Sequence, residues 1–93
     1  MYRAVETTRF RKSLKKVSQY RNFDRRELER VVDLLCAGRQ LEIHHQDHEL
    51  KGKYAGIREC HIKNDLLLMY QKKQNIFVLL LVDIGTHPYL FGK

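Results

Sequence analysis

The sequence predicts an α+β fold in the order β-α-α-β-β-β: a small, antiparallel-rich twisted sheet with an N-terminal helical hairpin packed on one face. Three observations predict it. Apolar residues recur at helical spacing twice before Gly38, apolar runs parted by short polar turns fill residues 57–82, and one proline and five glycines leave few breaks in 93 residues. That length holds one domain, residues 1–93.

Residues 2–6 alternate weakly and read as a short strand, after which Thr7 or Thr8 is available as a helix N-cap. Phe10, Leu14 and Val17 then fall at i, i+4 and i+7, a single apolar stripe, while Arg9, Arg11, Lys12, Lys15 and Lys16 occupy the other faces. Asn22 and Asp24 interrupt the pattern. Asp24 followed by Glu27 resembles a capping box, Leu28, Val31, Val32 and Leu35 continue at helical spacing, and Gly38 suits the C′ position. The short break between the helices predicts an antiparallel pair. Residues 42–56, with three histidines and two glycines, read as a long shaped loop, and such a loop in a small domain is usually functional.

Three strands follow. In Ile57–Lys63, Cys60 and Ile62 point one way and Glu59 and His61 the other. Leu66–Gln71 comes after a tight turn near Asn64, and Ile76–Val82, almost wholly apolar, reads as a central strand buried on both faces. Residues 85–91 read either as a hydrophobic strand closing the sheet or as a functional tail carrying His87 beside Phe91.

Composition narrows the function. Eighteen Lys and Arg against eleven Asp and Glu give a net charge of +7, which favours a polyanionic partner, nucleic acid first. Residues 1–30 hold ten basic and four acidic side chains, a net of +6, whereas all five histidines lie beyond them. One region supplies the field and another supplies groups that move protons near pH 7. No apolar run approaches a membrane span, no secretory leader follows Met1, and two cysteines make no disulfide framework, so a cytoplasmic protein with no membrane partner is expected. Nucleotide-binding glycine loops, HExxH and nucleophile elbows are absent.

Several side chains are candidates for chemistry. His44, His45 and His48 imitate metal ligands, but without a nearby cysteine or a helical pair they read as solvated, His48 excepted, and no metal or cofactor is expected. His61 lies on the polar side of its strand with Asp65 just past the turn, either an imidazole with its orienting carboxylate or an edge ion pair. His87 offers proton transfer, and Phe91 a ring on which an RNA base can stack. Arg58 is either a solvated charge or a guanidinium aimed at a phosphate, and Lys51 and Lys53 flank His48 more closely. Arg9, Lys12 and Lys16 are the wet face of a helix or contacts to a nucleic-acid backbone. Cys36 falls within a helix and Cys60 faces the core, so neither is a nucleophile.

Taken together, Asp47-His48-Glu49-Leu50-Lys51-Gly52, Gly56-Ile57-Arg58-Glu59-Cys60-His61-Ile62, Asp65-Leu66-Leu67-Leu68-Met69-Tyr70, Gly85-Thr86-His87 and Leu90-Phe91 resemble the YafQ-like toxins of bacterial type II toxin–antitoxin modules, within the RelE/ParE superfamily. The resemblance is close from Asp47 to Phe91 and confined to length, charge and helical pattern before that. It implies a RelE-like fold and a ribosome-dependent, metal-independent messenger RNA endonuclease. Such toxins meet mRNA and 16S rRNA in the ribosomal A site and are silenced by a cognate antitoxin with an acidic wrapping segment and a DNA-binding end.

The family pattern matches at His48, Glu59, His61, Asp65, His87 and Phe91. On it, His48 or His61 is the base, Asp65 orients an imidazole, His87 is the acid, Phe91 stacks on a base, and Arg58 with Lys51 or Lys53 stabilises the phosphorane. Two departures stand out: Asn64 precedes Asp65 where the family often has proline, and the last strand, Leu79 to Asp83, is unusually apolar, consistent with a self-association edge. A gyrase-inhibiting ParE-like toxin and a non-catalytic nucleic-acid-binding module are the alternatives.

Overall fold

The computed structural model describes residues 1–92. The chain runs β1 (Arg3–Glu6), α1 (Thr8–Val17), α2 (Arg25–Cys36), β2 (His48–Glu49), β3 (Arg58–Lys63), β4 (Leu66–Lys73), β5 (Val78–Gly85) and α3 (His87–Phe91). Five strands form one sheet in the order β1-β5-β4-β3-β2. All neighbouring pairs are antiparallel except β1 and β5, which run parallel with Arg3 opposite Val78 and Glu6 opposite Leu81.

Of the two threonines offered as the first N-cap, Thr7 takes the role, and Asp24 caps the second helix as expected. Thr7 Oγ1 accepts from the Phe10 amide at 2.9 Å, and Asp24 accepts from the Glu27 amide at 3.1 Å. The capping box is half made, because the Glu27 carboxylate turns instead to Arg30 and His45. Gly38, at φ +75°, follows the second helix in the left-handed conformation that closes a C-terminus.

The helices lie on one face of the sheet. Phe10, Val17, Leu28, Val31 and Leu35 bury themselves against Cys60, Ile62, Leu68, Tyr70, Leu79, Leu81 and Ile84. Apolar surface removed from water here is the main stabilising term. The opposite face has a smaller core in which Leu67, Met69 and Leu90 meet Leu50, Tyr54, Ile57, Val82 and Phe91. Alternation along β3 therefore delivers Glu59 and His61 to the second face and Cys60 and Ile62 to the first.

Four expectations are corrected. The last strand begins at Val78, because Gln74–Ile76 form a 3₁₀ turn and Phe77 adopts a left-handed φ of 54°, which leaves Ile76 and Phe77 exposed. It is flanked by β1 and β4, so its apolar stretch is not a self-association edge. Residues 85–91 are no closing strand: Thr86 caps α3, Pro88 sits in its first turn, and Gly92 ends it. The loop at 42–56 contains two 3₁₀ turns and the two-residue strand β2, which pairs His48 with Glu59 and Glu49 with Arg58. Asn64 takes a left-handed φ of 55° in the β3–β4 turn, a conformation closed to proline, which accounts for the family departure there.

Candidate active site

Two rows of paired residues cross the second face of the sheet. One runs Gly85, Leu67, His61; the other runs Asp83, Met69, Glu59, His48. Neighbouring strands lie about 4.8 Å apart, so Gly85 and His61 are separated by about 10 Å across Leu67. α3 folds back over the β5 end through Leu90, which packs on Leu67 and Met69. A Cβ on Gly85 would sit 2.5 Å from Tyr89 Cδ2, so this close return requires glycine. His87 and Phe91 then lie one helical turn apart, ring centroids 4.8 Å apart and planes tilted by 44°, and Phe91 meets Tyr54 edge-on at 5.4 Å. This face has an apolar floor, with His48 and His61 along β2 and β3 and the His87, Phe91 and Tyr54 rings grouped about α3, and it holds a cleft of about 190 Å³ lined by Tyr54, Ile57, Met69 and Leu90.

His48 and Glu59 carry the most specific geometry. The Gln46 carbonyl lies 2.6 Å from His48 Nδ1, and a carbonyl only accepts, so that nitrogen carries a proton. His48 Nε2 stands 3.3 Å from Glu59 Oε1. Glu59 is 5% exposed and its second oxygen is buried without a partner, while His48 is exposed. An imidazole at the edge of solvent beside a buried carboxylate is an arrangement a general base or acid can use.

The segment bearing His48 is held from the other side of the sheet. Asp47 Oδ1 accepts from the Tyr70 hydroxyl at 2.6 Å and from Arg58 Nε at 3.2 Å. Burial, and next the Asp47 carboxylate, push the Tyr70 phenol far above its usual range, so it stays a proton donor. This corrects the reading of Arg58. It shares the helix-side face with Cys60 and Ile62, and Asp47 and Tyr70 engage it there, so it does not face the cleft.

Asp65 is also displaced from its expected role. It sits exposed at the β3–β4 hairpin tip, and no hydrogen bond or ion pair joins it to His61 among the described residues. A register shift between His61 and Lys63 and the left-handed Asn64 swing it instead onto a cavity of about 270 Å³ shared with Phe23 and Thr86, the residue before His87.

His45 is not solvated. It is fully buried, and its Nε2 donates to Glu27 Oε2 at 2.8 Å. Glu27, His44 and His45 bring three ligand-type atoms within 4.8 Å of one another, yet Arg30 bonds both Glu27 oxygens at 3.1 and 3.0 Å. Those bonds hold the Glu27 carboxyl down to about 2, with His45 second, and leave a cation to compete with a guanidinium. Burial pushes the Cys60 thiol far up and raises Cys36, so both remain protonated, as expected of non-nucleophiles.

The basic side chains divide by anchoring. Lys51, just before the Gly52–Tyr54 3₁₀ turn, and Lys53 within it are exposed, Lys53 with its ammonium 5.4 Å from the Tyr54 ring centre. Lys16 lies 4.9 Å from the Tyr89 ring centre, and Ser13 bonds the Tyr89 hydroxyl at 3.0 Å, so one face of α1 runs alongside α3. Lys12 is exposed on the same helix. Two participants were not singled out from sequence. Tyr54 carried no periodic signal, and Asp83 read as the end of an apolar strand.

Comparison with known proteins is consistent throughout. Residues 2–92 match the family described as the bacterial toxin of type II toxin–antitoxin system, YafQ. The chain is 32% identical over 78 residues to the mRNA interferase toxin YafQ of Escherichia coli K12, covering 83% of each protein. Its fold is similar to a metal-bound toxin from Helicobacter pylori, with TM-score 0.90 and 40% identity over 98% of this chain and 100% of that one. It is likewise similar to a chain of the E. coli DinJ–YafQ complex, with TM-score 0.86 and 27% identity over 99% and 100%.

Proposed function

The chain belongs to the YafQ family of bacterial type II toxins, and from that premise we propose that it is an mRNA interferase that stops translation by cutting messages in the ribosomal A site. The observation that carries the reading is the sharing of one cleft face by His48, Glu59, His61, His87 and Phe91. Phe91, backed by Tyr54, stacks on an exposed base. The His48–Glu59 pair takes the proton of a ribose 2′-hydroxyl. The 2′-oxygen bonds to the adjacent phosphorus while the bond to the 5′-oxygen breaks, and His87 gives that oxygen a proton. His61, between the two, meets charge that develops on the phosphate. The products are a 2′,3′-cyclic phosphate and a 5′-hydroxyl, so no water is consumed in this step. Lys51, Lys53, Lys12 and Lys16 contact message and 16S rRNA phosphates.

A cognate antitoxin whose acidic segment covers the basic surface is the partner in the cytoplasm. The E. coli relative in complex with DinJ supports a partner of this kind. The experiment is to add the purified protein to a translating extract and map message ends. New ends with 5′-hydroxyl groups are expected, and their loss in His61→Ala and His87→Ala. Intact messages alongside inhibited gyrase would replace this reading with the ParE-like one.

A further inference from the structure

The geometry points to Arg9 as the cation that holds the message phosphate in the cleft, with Asp83 as the residue that positions it. The inference rests on the endonuclease reading above and supplies what that reading lacks. Phosphoryl transfer places charge on non-bridging oxygens and gains most from a cation fixed in advance. Arg58 is turned to the other face, and Lys51 and Lys53 have no carboxylate partner among the described residues. Arg9 is different.

Asp83 stands opposite Met69 on the cleft face of β5 and is 4% exposed. A carboxylate so deeply buried is tolerated only when paired. Its Oδ1 accepts from the Ile84 amide at 2.8 Å and its Oδ2 from Arg9 Nε at 2.9 Å. Because the pair uses Nε alone, both terminal amino groups of Arg9 are without a protein partner among the described residues, and the side chain is 72% exposed. A guanidinium held by its inner nitrogen presents the outer fork that suits two phosphate oxygens.

The backbone fixes it as well. Thr7, two residues earlier, donates its amide to the Leu81 carbonyl at 3.1 Å and its hydroxyl to the Val82 carbonyl at 2.8 Å. These bonds seal the β5 edge where β1 ends and clamp the start of α1 beside Asp83. Arg9 and Asp83 also form one wall of a cavity of about 190 Å³ whose other lining is Tyr54, Ile57, Met69, Val82 and Leu90. An apolar slot with an aromatic wall and a phosphate-binding fork at its rim matches the two halves of a nucleotide.

A double-mutant comparison tests this, reading both message cleavage in a translating extract and thermal melting. Arg9→Ala is expected to lower kcat/KM at least tenfold and to lower the melting temperature, since it strands Asp83. Adding Asp83→Ala is expected to restore the melting temperature while cleavage stays at least tenfold down. Arg9→Lys, which keeps the charge and loses the fork, is expected to fall between. It should also keep the salt slope of binding to a short single-stranded RNA, which Arg9→Ala should reduce by about one. A double variant that cleaves within twofold of wild type would make the pair merely structural and overturn the inference, with the endonuclease reading intact as long as His87→Ala is inactive. A wild-type chain that cuts no message overturns both.

Discussion

The two faces of the sheet differ in what their polar groups are bonded to. On the helix side, Asp47 accepts from Tyr70 and from Arg58 Nε, and Glu27 is saturated by Arg30 and His45, although His45 Nδ1 is buried without a partner. On the cleft side, Glu59 keeps a buried oxygen without a partner, His61 and His87 make no ion pair, and Arg9 keeps its terminal nitrogens free, all among the described residues. Buried polar groups are normally paired, so an unpartnered carboxylate oxygen beside an imidazole at the edge of solvent marks where chemistry is kept in reserve on the cleft side. One side of the sheet holds the protein together and the other is left unfinished for a ligand.

That contrast breaks if the two faces respond alike to substitution. His61→Ala and His87→Ala should lower message cleavage by about 10²- to 10⁴-fold, the usual worth of a proton-transfer group, with melting temperatures unchanged. Leu68→Ala on the helix side should do the reverse. It loses about 2–5 kcal/mol in denaturant unfolding because Leu68 is fully buried, and cleavage per folded molecule is retained.

Gly85→Ala probes the hinge between the faces. The Cβ collision with Tyr89 should cost about 1–3 kcal/mol and displace α3, so cleavage and melting temperature fall together. The smallest effect concerns acid. Glu27 is held at about 2 against an ordinary 4.5, so its stabilisation is complete above the ordinary value and is lost as pH falls from there through the folded one. Glu27→Gln should flatten that part of the stability–pH curve by on the order of 1 kcal/mol, solvent screening at the exposed Arg30 included. A cleft-side Glu59→Gln variant should instead change the pH profile of cleavage.

Much of the site was legible before any coordinates. Alternation along β3 separates Glu59 and His61 from Cys60 and Ile62, because a pleated strand turns successive side chains to opposite faces. The same rule, extended to Arg58, sets it with Cys60 and Ile62, whereas its charge alone suggests a phosphate. His45 looked like surface because nothing local shows that Glu27, eighteen residues earlier, will bury beside it. The C-terminal residues were ambiguous between strand and helix, since five residues carry too little periodicity, and the Thr86 cap with Pro88 decided it.

The sequence by itself determined the α+β order, both helix caps, the basic N-terminal third and the family, since periodicity, capping chemistry, charge and ordered motif blocks are properties of neighbours along the chain. Only the tertiary structure decided that β1 seals β5 in parallel, that Arg58 is engaged on the far face, that Asp65 lies by Thr86, and that Arg9 meets Asp83 across 74 positions. Those pairings depend on strand order and register, which are set by how the whole apolar surface is buried at once.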